Sequence, residues 1–329
     1  MRLKLFQQCV GVVLSAVVGS YAAHAASPSS AYPDRTVSIV VPTTPGGTAD
    51  ILARLIAPKL SAMWGQAVIV ENKPGAGSLL GTDYVVRAKP DGYTWLLAFN
   101  EIAALPAINK NTKLDVVNDL ERVGKIGTLP VVILANPKVE AKTLQELIAQ
   151  ARANPGKMTY SSNGSGGALQ LYTEMFKQEA GIDVMHVPYR GALEASMAVI
   201  AGEVDVLVQF ASGNVQNHIK ANRAKAYAVA SDERLSGIPD VPTTAEAGLP
   251  SLKLEAWYGL FAPKNTPKAL IEKVNKDFVE VMKMPDIQER LQGIGMGVDT
   301  TTPEEFDTFF KNEYKRWTDL IVKAGIQSN

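Results

Sequence analysis

Two glycine-rich stretches hold the residues whose types and spacing are best suited to chemistry. Pro45-Gly46-Gly47-Thr48-Ala49-Asp50 follows the apolar run from Thr36 to Val41 and opens an amphipathic segment. Tyr160-Ser161-Ser162-Asn163-Gly164-Ser165-Gly166-Gly167-Ala168 stands in the same position, between a strand-like and a helix-like segment, later in the chain. The chemistry this pattern supports is anion binding. A helix N-terminus leaves its first N–H groups without intrahelical acceptors, and glycine lets backbone approach a ligand unobstructed. The positive end of the helix dipole, roughly half a charge, adds attraction. Either turn alone is a common architectural device. One turn in each half of the chain points instead to a pincer closing on a carboxylate or other oxyanion.

Other chemistries find little support. No G-x-x-x-x-G-K-[ST] loop exists, and Gly75-Ala76-Gly77-Ser78-Leu79-Leu80-Gly81 has one residue too many for G-x-G-x-x-G. That segment is a turn first and a pocket wall second. Past the N-terminal leader described below, the histidines are His186 and His218, with no H-E-x-x-H pairing, so no metal is expected. Both are read as structural residues with satisfied hydrogen bonds. A G-x-S-x-G elbow is absent because Asn163 stands two before Ser165. A triad assembled from distant positions stays open, which leaves an alternative: a hydrolase of small esters or amides using Ser161 or Ser162.

At 329 residues the chain is long for one domain. Lys+Arg 33 against Asp+Glu 33, with 7% aromatics, lacks the basic footprint of a nucleic-acid binder. The N-terminus has the form of an export signal: Arg2 and Lys4, an apolar stretch from Val10 to Val18, then Ala23-His24-Ala25, with cleavage expected after Ala25. The stretch is shorter than the roughly 20 residues that span a bilayer. Cys9 precedes the apolar core and so is not placed for lipid attachment. Cleavage removes this only cysteine, which suits an oxidising periplasm.

The elements that must position the turns alternate. Strands are expected at 36–41, 67–70 and 95–99, then at 131–135, 158–161, 184–187, 204–210 and 226–230, with helices between, which predicts an α/β protein with largely parallel sheet. The helix at 51–63 carries Asp50 in its first turn, and Pro58 is expected to kink or end it. Leu254 to Ala262 is placed to return the chain to the first block, and the Pro-rich stretch 238–250 is expected to be an irregular surface segment. Three closing helices follow, the last from Pro303 to Ala324 with a capping box from Thr302 and Glu305 and an aromatic stripe read as core.

Several motifs in order carry a resemblance over the whole chain beyond the leader. They are Tyr32-Pro33-Asp34-Arg35, Val40-Val41-Pro42, the Pro45 turn, Glu71-Asn72-Lys73-Pro74-Gly75-Ala76-Gly77, Pro90-Asp91-Gly92-Tyr93-Thr94, His186-Val187-Pro188-Tyr189-Arg190-Gly191, Pro239-Asp240-Val241-Pro242-Thr243 and Glu246-Ala247-Gly248-Leu249-Pro250. Together they resemble the Bug family, the TctC-like periplasmic receptors of tripartite tricarboxylate transporters. The resemblance implies a two-lobed type II periplasmic binding protein, a Venus flytrap in which each lobe is a mixed sheet flanked by helices. Residues 26–128 and 252–329 would form lobe 1, and 129–251 lobe 2. It implies a monomer that binds a small carboxylic acid without cofactor or chemistry and hands it to integral membrane transporter subunits; presentation to a two-component sensor would use the same pocket. Carried over by position, the ligand meets Gly46, Gly47, Thr48 and Ala49 on one side, and Ser161, Ser162, Asn163, Gly164, Ser165 and Gly166 on the other, partly through water.

The chain departs from the family's pattern in three places. Gly167, Ala168 and Gln170 replace the usual hydroxyl residues and histidine after the second turn, so backbone N–H groups must carry more of the anchor. The run Phe99-Asn100-Glu101 stands where Ser and Thr are usual, and Gln209-Phe210-Ala211-Ser212 where an acid or amide is common. Glu101 and Phe210 are therefore added to the candidate site. A buried carboxylate is costly unless paired or protonated. Glu101 either faces a ligand that carries an ammonium group or another donor besides its carboxylate or, the preferred expectation, reaches solvent or a protein cation.

Overall fold

A computed structural model describes residues 32–109 and 111–325. The expected leader, with Cys9 and the cleavage site after Ala25, lies outside the described residues. From Pro33 onward the chain packs as one compact unit. It begins with β1 (Val37–Val41), α1 (Thr48–Trp64), β2 (Val68–Asn72), α2 (Leu79–Val86), β3 (Thr94–Phe99) and α3 (Glu101–Ile108). β1 pairs in parallel with β2 and β3, and its Val37, Ile39, Val40 and Val41 are buried, as befits a strand with helices on both faces. α1 does not end at Pro58. The apolar face of Leu52, Ala53, Ile56 and Ala57 continues to Leu60, and packing outweighs the single backbone bond that proline removes; Gly65, at φ 66°, ends the helix instead.

A strand of 16 residues, β4 (Leu120–Ala135), carries the chain out of this sheet. The second lobe follows as α4 (Leu144–Ala153), β5 (Thr159–Ser162), α5 (Ala168–Ala180), β6 (Met185–Pro188), α6 (Ala192–Ala201), β7 (Val206–Phe210), α7 (Gly213–Lys220) and β8 (Lys225–Val229). The return strand β9 (Glu255–Pro263) precedes α8 (Lys268–Met282), α9 (Pro285–Gly293), β10 (Gly297–Val298) and α10 (Pro303–Ala324). β4 belongs to both sheets. Its segment Leu120 to Pro130 lies antiparallel to β9, which also pairs with β3, while Val131 to Ala135 pair with β7 and β8. β5 joins β6 and β7 in parallel. The result is two mixed sheets, each flanked by helices, with β4 common to both.

The sequence signals only the last part of β4, because Gly124 and Gly127 interrupt its pattern. Both glycines sit at register shifts against β9, where the strand bends. A Cβ on Gly127 would stand 2.2 Å from the Gly297 carbonyl oxygen of β10, which explains the residue. The stretch 238–250 is irregular as expected but not wholly superficial: Ile238 and Val241 join a buried cluster with Val132, Leu134 and Val229.

α10 has its capping box, and its stripe is core: Phe306, Phe310, Trp317 and Ile321 are buried against β9 and β4. Glu313 is buried among them and is satisfied by the indole N–H groups of Trp257 (2.9 Å) and Trp317 (3.0 Å). A Cβ on Gly259 of β9 would stand 2.2 Å from Phe306 Cζ, in the middle of this aromatic packing. Gly259→Ala is therefore expected to destabilise the protein by about 1–3 kcal/mol, read as a lower urea midpoint at unchanged slope.

Candidate ligand site

The first turn links the end of β1 to α1. Gly46 takes φ 86°, a left-handed conformation that glycine adopts without strain, and Gly47 caps α1 with no side chain across the helix end. Asp50 braces the turn from within, accepting hydrogen bonds from the Gly46 N–H (2.9 Å) and Arg54 Nε (3.0 Å). Burial pulls its carboxyl upward, but the bonds from Arg54, Gly46 and Asn72 outweigh that and hold it below the ordinary range. The charge is thus spent on Arg54, which also reaches Asn72 at 2.9 Å. The first N–H groups of α1 keep the open end that an anion requires. Thr43 Oγ1, beside Gly47, is buried without a partner. Thr48 contributes its hydroxyl to Tyr258 of β9, and Ala49 is buried behind it.

The second turn is held by its own side chains. Ser161 points away from it, donating to the Ala195 carbonyl of α6 at 2.9 Å. Asn163 folds over the helix end, accepting from the Leu169 N–H at 3.0 Å. Gly164 and Gly166 take φ 111° and 79°, and Ser165 is exposed at the tip. Gln170 Oε1 accepts from the Gly166 N–H at 2.6 Å, which turns its amide nitrogen toward His186 Nδ1 at 3.3 Å. Because that nitrogen is a donor, Nδ1 must accept, and the ring proton sits on Nε2. His186 Nε2 therefore donates to Ser162 Oγ at 2.6 Å, while the Gly164 N–H donates to the same oxygen at 3.2 Å. Burial keeps the imidazole below its ordinary pKa, with the Glu174 carboxylate opposing and Lys177 assisting. A histidine that donates to a serine is not a base for it, so this pair is arranged to hold the turn rather than to attack.

His186 is thus satisfied as expected. His218 is not: its Nδ1 is buried without a partner, in a small apolar recess lined by Leu134, Val199 and Val215, inside lobe 2.

The lobes are shut, with the end of β3 and α3 of lobe 1 against the second turn and β7 of lobe 2. Phe99 and Phe210 meet edge to face at 6.4 Å, and Phe210 also meets Tyr172 of α5 at 5.8 Å. A Cβ on Gly166 would stand 2.8 Å from Ile108 Cγ2 of α3. Gln209 does not face this gap; its Oε1 accepts from Ser196 at 2.8 Å inside lobe 2. Glu101 corrects an expectation, since it reaches neither solvent nor a cation. It is 4% exposed, accepts from the Ser78 hydroxyl at 2.9 Å, and faces the Ala168 N–H of the opposite lobe. Burial pushes its carboxyl up to about 7, and those two donors only moderate the rise.

Three cleft residues escaped the sequence reading: Ser78, Tyr172 and Tyr258. Ser78 lay within the rejected glycine fingerprint, and its hydroxyl donates to Glu101. Asn100, part of the run 99–101 noted in the sequence, is buried beside Tyr172, and the polar side-chain atoms of the two have no hydrogen-bond partner beyond each other. Among the described residues no group of three metal-ligating side chains is placed to hold a metal, and no helix is long and apolar enough to cross a membrane.

Two mixed sheets sharing β4, with helix N-termini from each lobe meeting in a closed cleft, define a two-lobed type II periplasmic binding protein. The sequence profile of the tripartite tricarboxylate transporter family receptor, TctC, matches residues 52–326, and the chain belongs to this family. Receptors of this family are periplasmic solute-binding proteins. BugT of Bordetella pertussis (strain Tohama I) is 33% identical over 318 residues, which cover 95% of this chain and 97% of BugT. The structure of the periplasmic binding protein BugD is 32% identical, with a TM-score of 0.79 over 90% of this chain and 100% of BugD. MatC from Rhodopseudomonas palustris, solved with bound malate, is 30% identical, with a TM-score of 0.79 over 88% of this chain and 100% of MatC.

Glu101 gives the closed form a pH signature. Its pKa rises from 4.5 to about 7 on folding, so the folded protein binds the proton more tightly. Its contribution to stability is fully present below about pH 4.5 and is lost as pH rises toward 7. The loss is on the order of 3 kcal/mol. His186, held below its ordinary value, acts in the opposite sense as pH falls below 6.5. The difference between wild type and Glu101→Gln in denaturant midpoint isolates the first effect: it is expected to shift in favour of the variant between pH 5 and pH 8.

Proposed function

We propose that the chain is an exported, monomeric receptor that captures a small carboxylate-bearing solute between its lobes and delivers it to the integral membrane subunits of a tripartite tricarboxylate-type transporter. Lobe 1 comprises residues 26–128 and 252–329 and lobe 2 residues 129–251, with export directed by the segment ending at Ala25. The observation that carries this is the company kept by the two helix ends. Thr43 Oγ1 is a buried polar group without a protein partner, and the Asn100 side chain and the Tyr172 hydroxyl have none beyond each other. Thr43 lies beside Gly47 at the start of α1, and Asn100 immediately precedes α3, whose first residue meets the start of α5. Buried polar groups are almost always satisfied, so such a set marks the place of a ligand or its bridging waters. The malate bound to MatC supports a carboxylate as the class.

Gly47, Thr48 and Ala49 hold the solute's carboxylate through backbone N–H groups, while Gly46, whose N–H is bonded to Asp50, shapes the turn beside it. Ser162, Asn163, Gly164, Ser165 and Gly166 shape the facing turn, with Ser161 behind it and Phe210 walling the cleft. Closure then follows from differential affinity, because a ligand bound equally by open and closed forms shifts nothing. The hydrolase alternative is weakened by the Ser162 and His186 pair, whose proton lies on the wrong nitrogen for a general base.

Ligand screening by thermal shift tests the proposal. A carboxylate at a hundredfold excess over its Kd is expected to add about 2.7 kcal/mol of stability, and mass spectrometry should recover it unchanged; turnover that Ser162→Ala abolishes would sink the receptor reading. Gly166→Ala introduces a Cβ 2.8 Å from Ile108 at a φ of 79° and obstructs closure. It should weaken binding about tenfold or more. Gly191→Ala, where nothing lies within 4 Å, should leave affinity unchanged.

A further inference from the structure

Glu101 opens α3 in lobe 1, yet its carboxylate meets the N-terminus of α5 in lobe 2. Beside it runs the Gly77 backbone, where a Cβ would stand 3.8 Å from Oε1. The Tyr258 hydroxyl is acted on both by Thr48 of the first turn and by Glu101, and so stands between them. Asn100, one residue back, has its amide oxygen and nitrogen buried with no partner beyond the nearby Tyr172 hydroxyl, which is itself buried and has no other. No cation is among the electrostatic partners of the carboxylate. The gap thus holds unspent hydrogen-bonding groups on both sides and one uncompensated acid.

We infer that Glu101 selects the charge of the solute: the cleft accepts a monocarboxylate that also bears an ammonium group and discriminates against a dicarboxylate. This rests on the carboxylate-clamp function proposed above. A solute carboxylate on the α1 N–H groups lies about one tyrosine hydroxyl from Glu101. A second solute carboxylate finds the Ala168 N–H already facing Glu101 and meets a like charge in a closed, poorly screened space. An ammonium group supplies the positive partner that a buried carboxylate requires, and Asn100 Oδ1 and the Tyr172 oxygen can accept its remaining protons. The groups facing Glu101 from neighbouring elements are the Ser78 hydroxyl, the Ala168 N–H and the Tyr258 hydroxyl; burial, with the Glu101 charge adding, raises the last further above the ordinary phenol range.

The test is calorimetric titration of wild type and Glu101→Gln with matched probes: 3-aminopropanoate and malonate, 4-aminobutyrate and succinate, 5-aminopentanoate and glutarate. In wild type the amino member of the best-fitting pair is expected to bind at least about tenfold more tightly than its dicarboxylate, and Glu101→Gln to remove that preference. A preference ratio equal in both proteins would overturn the inference, as would wild type favouring the dicarboxylate. If no carboxylate binds either protein, the clamp itself falls and this inference with it. Wild type alone gives a second readout in buffers of different ionisation heat at pH 7. A dicarboxylate must take up a proton as it binds and an amino acid must not; equal proton counts for the two would count against Glu101 irrespective of how the variant folds.

Discussion

Everything in this molecule hangs on the antiparallel pairing of β4 with β9. β4 serves both sheets, and β9 locks it to the first of them by bonding β3 on its other edge. A continuous hydrogen-bonded ladder resists stretching, yet its bulges at Gly124 and Gly127 let it bend and twist. The lobes are joined by something stiff along its length and compliant across it. The aromatic packing of α10 on β9 then fixes this junction to lobe 1, with the buried Glu313 satisfied by two indoles rather than left as a charge in apolar surroundings.

From that geometry the cleft follows. Parallel strands deliver their helices with N-termini at one edge of each sheet; the start of α1 keeps N–H groups open, whereas at the start of α5 the Ala168 and Leu169 N–H groups are met by Glu101 and Asn163. Each turn solves the same problem by different means. The first uses Asp50, neutralised by Arg54, to pin Gly46; the second uses the neutral amides of Asn163 and Gln170. In both, the turn is pinned from within by a side chain of its own helix or loop. Glu101 stands apart as the acid in this arrangement that no protein cation compensates.

The turns were legible in the sequence because glycines stand between a strand-like run and an amphipathic segment twice, once in each half of the chain, where either alone would be a common architectural device. The fold class followed from alternation, and the family from motif order. What stayed hidden was what depends on distance. The first half of β4 has no clean period because glycines at its bulges break the pattern, and it becomes a strand only when β9 arrives from more than a hundred positions away. Pro58 predicted a break that packing overrode. Ser78, Tyr172 and Tyr258 carry no local signature, since each matters only for what it faces. Glu101 was noticed from its type and place, but the sequence favoured solvent or a cation, and only the shut lobes reveal that it has neither.

The hydrogen bond from Gly166 to Gln170 has a wider meaning. It orients an amide, the amide sets a tautomer, and the tautomer makes Ser162 a recipient of a proton rather than a source of one. Exchanging the NH2 of Gln170 for an oxygen, at nearly unchanged shape, would reverse the direction of that chain. The turn therefore stands one functional group away from the proton relay of a hydrolase. Its amide acts as an insulator, letting a serine and a histidine sit against each other without the histidine serving as the serine's base.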